Sequence, residues 1–435
     1  MRLNKLYRNG RRAAIVYGLR SPFIKAGTLV ENLSSLDLGK KVTIELLNRS
    51  EIDPESIQEV IFGTATPNIR TSNLSREIAL GAGVPDYVPA YTLSSACLSS
   101  FRAITNAAES IILGNYDVVL AGGTDSISSL PIFHNKSSRK LFKEYVTTRN
   151  PIRKLQQLIK LRIRDIAPNP REIAELSGEI SMAKYAEQTA KKNHISRNDQ
   201  DAFSLRSHRL AFQATEDARL QSEIISLFVP PNFSSAVRFD NGIRKDIRME
   251  DLSKLRPISD KIYGTVTEGN SSPPSDGASV VLIMSQEKAK EMGYDPLGYI
   301  KSFAYSAQSP KDQLLMGPVY ATPIALERAG LTLRDVELIE MHEASASQVL
   351  SNLNAFSSKT FAQDKLGKSE PLGEIDLDKL NVMGGSIAIG HPSSSTGIRL
   401  TVTLLNELKR RGNNFGMVTS CAAGGLGATI IVERE

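Results

Sequence analysis

The sequence predicts an α/β protein built from two similar halves, and three observations predict it. From Arg12 to about Leu130, short β-rich runs alternate with segments of helical period, the pattern of helices layered on a mostly parallel sheet. From about Leu297 the alternation begins again. Each half also contains a strand that runs into a glycine turn, Val118 to Asp125 through Gly122-Gly123, and Gly416 to Gly427 through Gly424-Gly425. At 435 residues the chain exceeds one ordinary core, so two or three domains are expected.

In the first half, strands are expected over Ala14–Tyr17, Glu59–Gly63 and Asp117–Ala121, with helices over Asp37–Leu47 and Ser72–Leu80. A strand-like start at Tyr91 gives way to Ala103, Ile104, Ala107, Ala108, Ile111 and Ile112 at helical spacing. Between about 128 and 272 the pattern changes to a loop-rich helical insert punctuated by Pro168, Pro170, Pro230 and Pro231. Here Ile152, Leu155, Leu158, Ile159, Ile163 and Ile166 recur at helical spacing among Arg153, Lys154, Lys160, Arg162 and Arg164. Such a basic amphipathic helix either lies on an anionic surface or covers a core with a solvated face. The division expected is an N-terminal half over 1–290 that includes this loop domain, and a C-terminal half over 295–435.

The second half should begin its helices with Pro323–Ala329. A strand over Leu338–Met341 then runs into His342-Glu343-Ala344. The glycine-rich stretch 384–397 follows, with Pro392 placed to open a helix at His391. Ile398, Leu400, Val402, Leu404, Leu405 and Leu408 then mark a long buried helix. Strands over Gly416–Ser420 and Ala428–Val432 close the chain.

Apolar content of 41% and charged content of 23% are those of a folded soluble protein. No apolar run is long enough to span a bilayer. The basic N-terminus leads straight into a strand, so a mature cytoplasmic start is expected. The net charge of +6 and pI near 9.1 admit an anionic ligand, a nucleic acid or an acidic membrane without choosing among them. The two cysteines, Cys97 and Cys421, exclude a disulfide scaffold and fit a reducing compartment.

Cys97 falls where a helix begins. Free N–H groups and the helix dipole lower a thiol pKa there, although a lone cysteine is also a common buried filler. His391 is either held on a rigid turn or incidental to a glycine-rich loop. A phosphate loop is a poorer reading, because His391-Pro392 stands where Lys-Ser/Thr is required. His342-Glu343 is no zinc motif, since Ala346 occupies the second histidine's place.

Taken together, Ser-Ala-Cys97-Leu-Ser-Ser, Met-His342-Glu-Ala-Ser-Ala, Gly-Gly-Ser-Ile-Ala-Ile-Gly-His391-Pro and Cys421-Ala-Ala-Gly-Gly-Leu-Gly resemble the thiolase family. The likeness runs from Arg12 to the C-terminus. It is strongest to 3-ketoacyl-CoA thiolases that form the β subunit of fatty-acid oxidation complexes, because of Leu19-Arg20-Ser21-Pro22-Phe23, the basic insert, and His342 where many thiolases carry Asn. The resemblance implies duplicated five-stranded α/β halves in a layered αβαβα core, with a loop domain over coenzyme A. It also implies a homodimer as minimal unit and brings in a multifunctional α subunit as a partner, while the basic amphipathic segment itself offers peripheral membrane contact through 136–166. Nucleic acid is not among them, and no cofactor is bound permanently; CoA is a substrate.

By the same correspondence Cys97 is the nucleophile, His391 its base and Cys421 the general acid toward the α-carbon. His391 and a water held by His342 serve the thioester oxygen. The N–H groups of Cys97 and Ala423 form the oxyanion hole, and Ser272 lies along the pantetheine arm. The implied reaction cleaves 3-ketoacyl-CoA with CoA in fatty-acid β-oxidation. The rival readings are a biosynthetic acetoacetyl-CoA thiolase, another condensing enzyme built on Cys97, His342 and His391, which would leave Cys421 idle, and a non-catalytic acyl-CoA carrier. Three departures stand out. A phenylalanine is missing from Arg256–Asp260, and serines at Ser345 and Ser393 replace phenylalanines, which would widen the acyl pocket or make it more polar.

Overall fold

The structure is a computed structural model that describes residues 10–66, 71–130, 136–159, 174–175, 180–231, 233 and 236–435. Its strands are β1 (Ala13–Arg20), β2 (Ile24–Lys25), β3 (Glu59–Gly63), β4 (Ala90–Leu93), β5 (Val118–Asp125), β6 (Ala174–Glu175), β7 (Ile180–Ser181), β8 (Leu227–Phe228), β9 (Ala236–Val237), β10 (Ser275–Ser285), β11 (Gly298–Ala307), β12 (Leu338–Met341), β13 (Phe415–Ala422) and β14 (Leu426–Glu433). The described residues from Met182 onward pack with those before Leu130 as one unit, and residues 130–181 cluster separately.

In the main unit the strand order is β12-β13-β14-β11-β1-β10-β5-β3-β4, with β2 beside β10. The outer strands pair in parallel (β12 with β13, β5 with β3, β3 with β4) and the inner ones antiparallel. The halves meet at β1 and β11 through only two residue pairs, Ala14 with Tyr299 and Ile15 with Gly298. The same plan appears on either side of that seam, which is the duplication expected from the sequence.

Alternation along each strand sorts side chains into two layers. Ile61, Val119, Ala121, Val281 and Ile283 face a central core shared with Ile300, Leu338, Val418, Ile430 and Val432 of the second half. Val60, Phe62, Leu120, Val280 and Leu282 face the helices Ser35–Ser50 and Leu74–Gly81 outside. On the far side, Ile339, Met341, Met417 and Ile431 pack with the helices Gly317–Ala329 and Ala346–Ser357. Between the two groups of strands lie the helices Ser99–Ile112 and Thr396–Arg411. The layering is αβαβα.

Among the described residues the second half contributes four strands to the sheet rather than five. There β12 has no full outer neighbour, only the bridge between Ile339 and Leu380. Asn381 adopts φ 47° and its side chain takes over the pairing. Its Oδ1 accepts from Met341 N at 2.7 Å and its Nδ2 donates to Met341 O at 2.9 Å. One amide thus completes the ladder and turns the chain toward Gly384.

In the separate unit, the helices Lys136–Thr147 and Pro151–Ile159 are described. Ile152, Leu155 and Ile159 are exposed at 69%, 59% and 76%. The expected continuation of the amphipathic helix to Ile166 lies outside the described residues. No helix among the described residues is long and apolar enough to cross a membrane.

Candidate active site

The nucleophile turn follows β4. Ala96 adopts φ 48°, a left-handed conformation that costs a residue bearing a Cβ roughly 1–2 kcal/mol. Ser99 Oγ holds the turn in place, accepting from Ser95 N at 2.9 Å and donating to Ala96 O at 2.7 Å. Cys97 therefore stands two residues ahead of its helix and is partly exposed. Its expected low pKa is not what the site produces. Burial pushes the thiol up to about 11, the N–H of Ala423 and the hydroxyl of Ser393 pull the other way, and the charge of Asp125 adds to the rise. Desolvation is the largest influence on this thiol, which precedes the first helical residue, Ser99.

His391 is presented by a different local device. A short helix, Ser386–Ile389, ends at Gly390 with φ 112°. The long helix does not open at Pro392 but at Thr396. Pro392 O instead closes a turn, accepting from Ser395 N at 2.9 Å and Thr396 N at 3.2 Å. The turn can lie close to β5 because Gly123 lacks a Cβ, which would sit 1.8 Å from Ser394 O. Asp125, also buried, accepts from Ser394 N at 2.6 Å and from the backbone and hydroxyl of Thr66.

Hydrogen bonds assign the tautomer of His391. The Thr396 hydroxyl donates to Pro392 O at 3.1 Å, so it accepts from His391 Nδ1–H at 2.7 Å. In the neutral ring the other nitrogen then carries a lone pair. That atom, Nε2, lies 3.3 Å from Cys97 Sγ. Burial, reinforced by the charge of Arg399, drops the pKa of His391 to about 3. The resting pair is thus a neutral thiol facing a neutral base.

His342 follows β12 and is buried. Its ring stacks on that of His391 with centroids 4.0 Å apart and 31° between planes. Nδ1 lies 2.9 Å from Ser386 Oγ, while Nε2 has no partner among the described residues. Burial, then the charges of His391 and Arg399, hold its pKa well below the ordinary value. The neighbouring Glu343 binds the two histidine loops together, accepting from Ser207 Oγ at 2.8 Å, Asn381 Nδ2 at 2.7 Å and Ile387 N at 3.1 Å. A Cβ on Gly385 would lie 2.0 Å from the Glu343 carboxyl carbon, so a larger residue there would push that carboxylate off its partners.

Cys421 lies near the end of β13 and is buried. Burial raises its pKa strongly, and a charge on Cys97 raises it further, which places the two sulfurs in one electrostatic neighbourhood. The turn after it carries Gly424 and Gly425 at φ 82° and 75°, and directs the Ala423 N–H at Cys97. Cys97, His391, His342, Cys421 and Ala423 therefore converge from three strand ends, those of β4, β12 and β13, and from the turn after the helix Ser386–Ile389.

Ser272 is tied to the same region, since its N and Oγ both donate to Ala344 O, at 3.1 and 3.3 Å. Ser345 is buried and caps the helix Ala346–Ser357, accepting from Gln348 N at 3.2 Å. Ser393 remains half-exposed with its hydroxyl toward Cys97. Thr396, Ser386, Asp125 and Arg399 were not singled out from the sequence. A hydroxyl five residues beyond His391 was the one legible hint.

The family description "Thiolase, N-terminal domain" matches residues 13–287, and "Thiolase, C-terminal domain" matches 294–434. The chain is 49% identical over 428 residues to the 3-ketoacyl-CoA thiolase of Yersinia enterocolitica, covering 98% of each chain, and 48% identical to that of Yersinia pestis over the same span. Among solved structures it resembles the acetyl-CoA acetyltransferase of Bacillus anthracis, with TM-score 0.83, 32% identity, and 97% and 98% of the two chains covered. It also resembles the human mitochondrial 3-ketoacyl-CoA thiolase in complex with CoA, with TM-score 0.82, 29% identity and 98% of each covered. With two family domains filling the chain in order around the four motif turns, it belongs to the thiolase family.

Proposed function

We propose that the chain is a 3-ketoacyl-CoA thiolase, an acyltransferase that uses coenzyme A as substrate in fatty-acid β-oxidation. The observation that carries the reading is His391 Nε2 at 3.3 Å from Cys97 Sγ, with the Ala423 N–H directed at that sulfur. As Sγ attacks the 3-keto carbon, Nε2 takes its proton. The N–H groups of Cys97 and Ala423 receive the developing oxyanion. The Cα–Cβ bond then breaks, its electron pair passes to the acetyl-CoA enolate, and the Cys421 thiol protonates that carbon. The proton on His391 returns to Cys421. His391 can then take the CoA thiol proton and give it to the departing Cys97 sulfur as the shortened acyl-CoA forms.

Ser272 is proposed to meet the pantetheine arm, supported by its tie to the His342 loop. A homodimer is supported by the unpaired outer edge of half-exposed β4. A peripheral membrane or an α subunit is supported by exposed Ile152, Leu155 and Ile159 beside Arg153 and Lys154. Two free cysteines fit a cytoplasmic location. The test is mass spectrometry after mixing with a 3-ketoacyl-CoA in the absence of free CoA, together with steady-state thiolysis across acyl chain lengths. An acyl adduct on Cys97 is expected; an adduct on Cys421 alone would reverse the two roles.

A further inference from the structure

Behind the stacked histidines runs a buried polar chain that the reaction above does not use. Glu340 Oε2 accepts from Arg399 Nη1 at 3.0 Å. Arg399 Nη2 donates to Ser386 Oγ at 3.1 Å. Ser386 Oγ in turn lies 2.9 Å from His342 Nδ1. None of the four residues exceeds 2% exposure, so water does not satisfy them from outside.

The direction of each bond follows from what each group can do. A guanidinium only donates, so Ser386 accepts from Arg399. Among the described residues the Ser386 hydroxyl has no other hydrogen-bond partner than Arg399 and His342. Its single proton therefore goes to Nδ1. A neutral imidazole that accepts at Nδ1 carries its own proton on Nε2, and that nitrogen is the buried one without a partner.

We propose that Ser386 and Arg399 are positioning residues that lock His342 in the Nε2–H tautomer, so that a donor faces the thioester oxygen of the substrate, directly or through a water. The inference rests on the thiolase reading of the site. It gives the stacked rings opposite duties. Thr396 leaves His391 with a lone pair for the thiol, and Ser386 leaves His342 with a proton for the oxygen. Without Ser386, the His342 ring could present its lone pair to an oxygen that gains negative charge as the enolate forms. Arg399 acts on the same state through its charge, which disfavours a protonated His342, and Glu340 holds it in place.

The full-length enzyme labelled with ¹⁵N-histidine provides a readout that needs no functional variant. His342 should show a protonated Nε2 and an unprotonated Nδ1 through neutral pH, the resonance being assigned by its loss in His342→Asn. A protonated Nδ1 overturns the proposal. Ser386→Ala should show mixed tautomers and slow the α-proton exchange of acetyl-CoA by about tenfold to a hundredfold, less than full removal of an oxyanion donor costs. Acylation of Cys97 by an activated thioester should slow at least tenfold less than exchange does, and Ser386→Thr should restore both tautomer and exchange. A folded Ser386→Ala with unchanged tautomer and unchanged exchange sinks the idea. If instead the wild-type enzyme fails to cleave 3-ketoacyl-CoA, the functional reading falls while the tautomer measurement still decides this one.

Discussion

Replacing Thr396 with valine keeps the shape of a buried side chain and removes one oxygen. The neighbours limit the damage to one atom. Pro392 O loses the Thr396 hydroxyl but keeps Ser395 N at 2.9 Å and Thr396 N at 3.2 Å. His391 Nδ1–H, which had the hydroxyl at 2.7 Å, loses its acceptor. An unsatisfied buried donor costs about 1–3 kcal/mol. The bond is strongest when the imidazolium forms, because charged hydrogen bonds are roughly twice as strong as neutral ones, so the loss falls on the transition state. That predicts a kcat for thiolysis lower by about 5- to 150-fold, with KM nearly unchanged. The ring is also free to move its proton to Nε2, where it would face the Cys97 thiol and block proton transfer. Thr396→Ser should recover most of the rate. If Thr396→Val folds, as judged by circular dichroism and melting, and turns over within twofold of wild type, the assignment of the His391 tautomer is wrong.

Three further outcomes follow from the same geometry. Burial holds the Cys97 thiol at about 11, so thiolate appears only as pH rises toward that value and amounts to about one part in ten thousand at pH 7. Alkylation by iodoacetamide should then climb about tenfold per pH unit between 7 and 9, and a plateau below pH 8 would contradict the raised value. Cys421→Ala should still accept an acyl group on Cys97 but stop exchanging the α-protons of acetyl-CoA with solvent deuterium; exchange at the wild-type rate would assign that proton to another base. Arg20→Met strands the buried carboxylates of Glu223 and Asp240, which Arg20 now meets at 2.7 Å each. Leaving a buried charge unpaired costs about 3–5 kcal/mol, to be read from denaturant midpoints, and a change under 1 kcal/mol would mean those carboxylates find other partners.

How much of this was legible varied with how local the signal was. The strands Glu59–Gly63 and Leu338–Met341 agree with the sequence reading to the residue, because each is a short apolar run bounded by polar neighbours. The strand β10, the longest in the sheet, was not recognised. It is buried along its whole length, so it shows no alternation to mark its period. The start of the long helix was expected at Pro392 and lies at Thr396, since proline's suitability for a first helical turn does not prevent its carbonyl from closing a turn first. The family motifs indicated which cysteines and histidines meet. They could not indicate the groups behind them: Ser386 reaches back 44 residues to His342, and Asp125 reaches 269 residues forward to Ser394. The direction of the Cys97 thiol pKa is hidden from the sequence for a related reason. Its place before a helix is visible in the chain, whereas the packing that desolvates it is not.

The helix Thr396–Arg411 belongs to the last part of the chain, yet it fills the layer between both groups of strands. The pair it helps to assemble, Cys97 and His391, joins residues 294 apart. A chain still emerging from the ribosome can pair β3, β4 and β5 and shape the Cys97 turn, but it faces water where this helix belongs. Loop closure over such a separation comes late in folding. Proton transfer between Cys97 and His391, and with it turnover, therefore waits until nearly the whole polypeptide is in place, and recovery of turnover after refolding should trail recovery of secondary structure. In this architecture activity is a report that folding has finished, and a protein truncated before Thr396 would retain its nucleophile but lack the helix that completes the central layer.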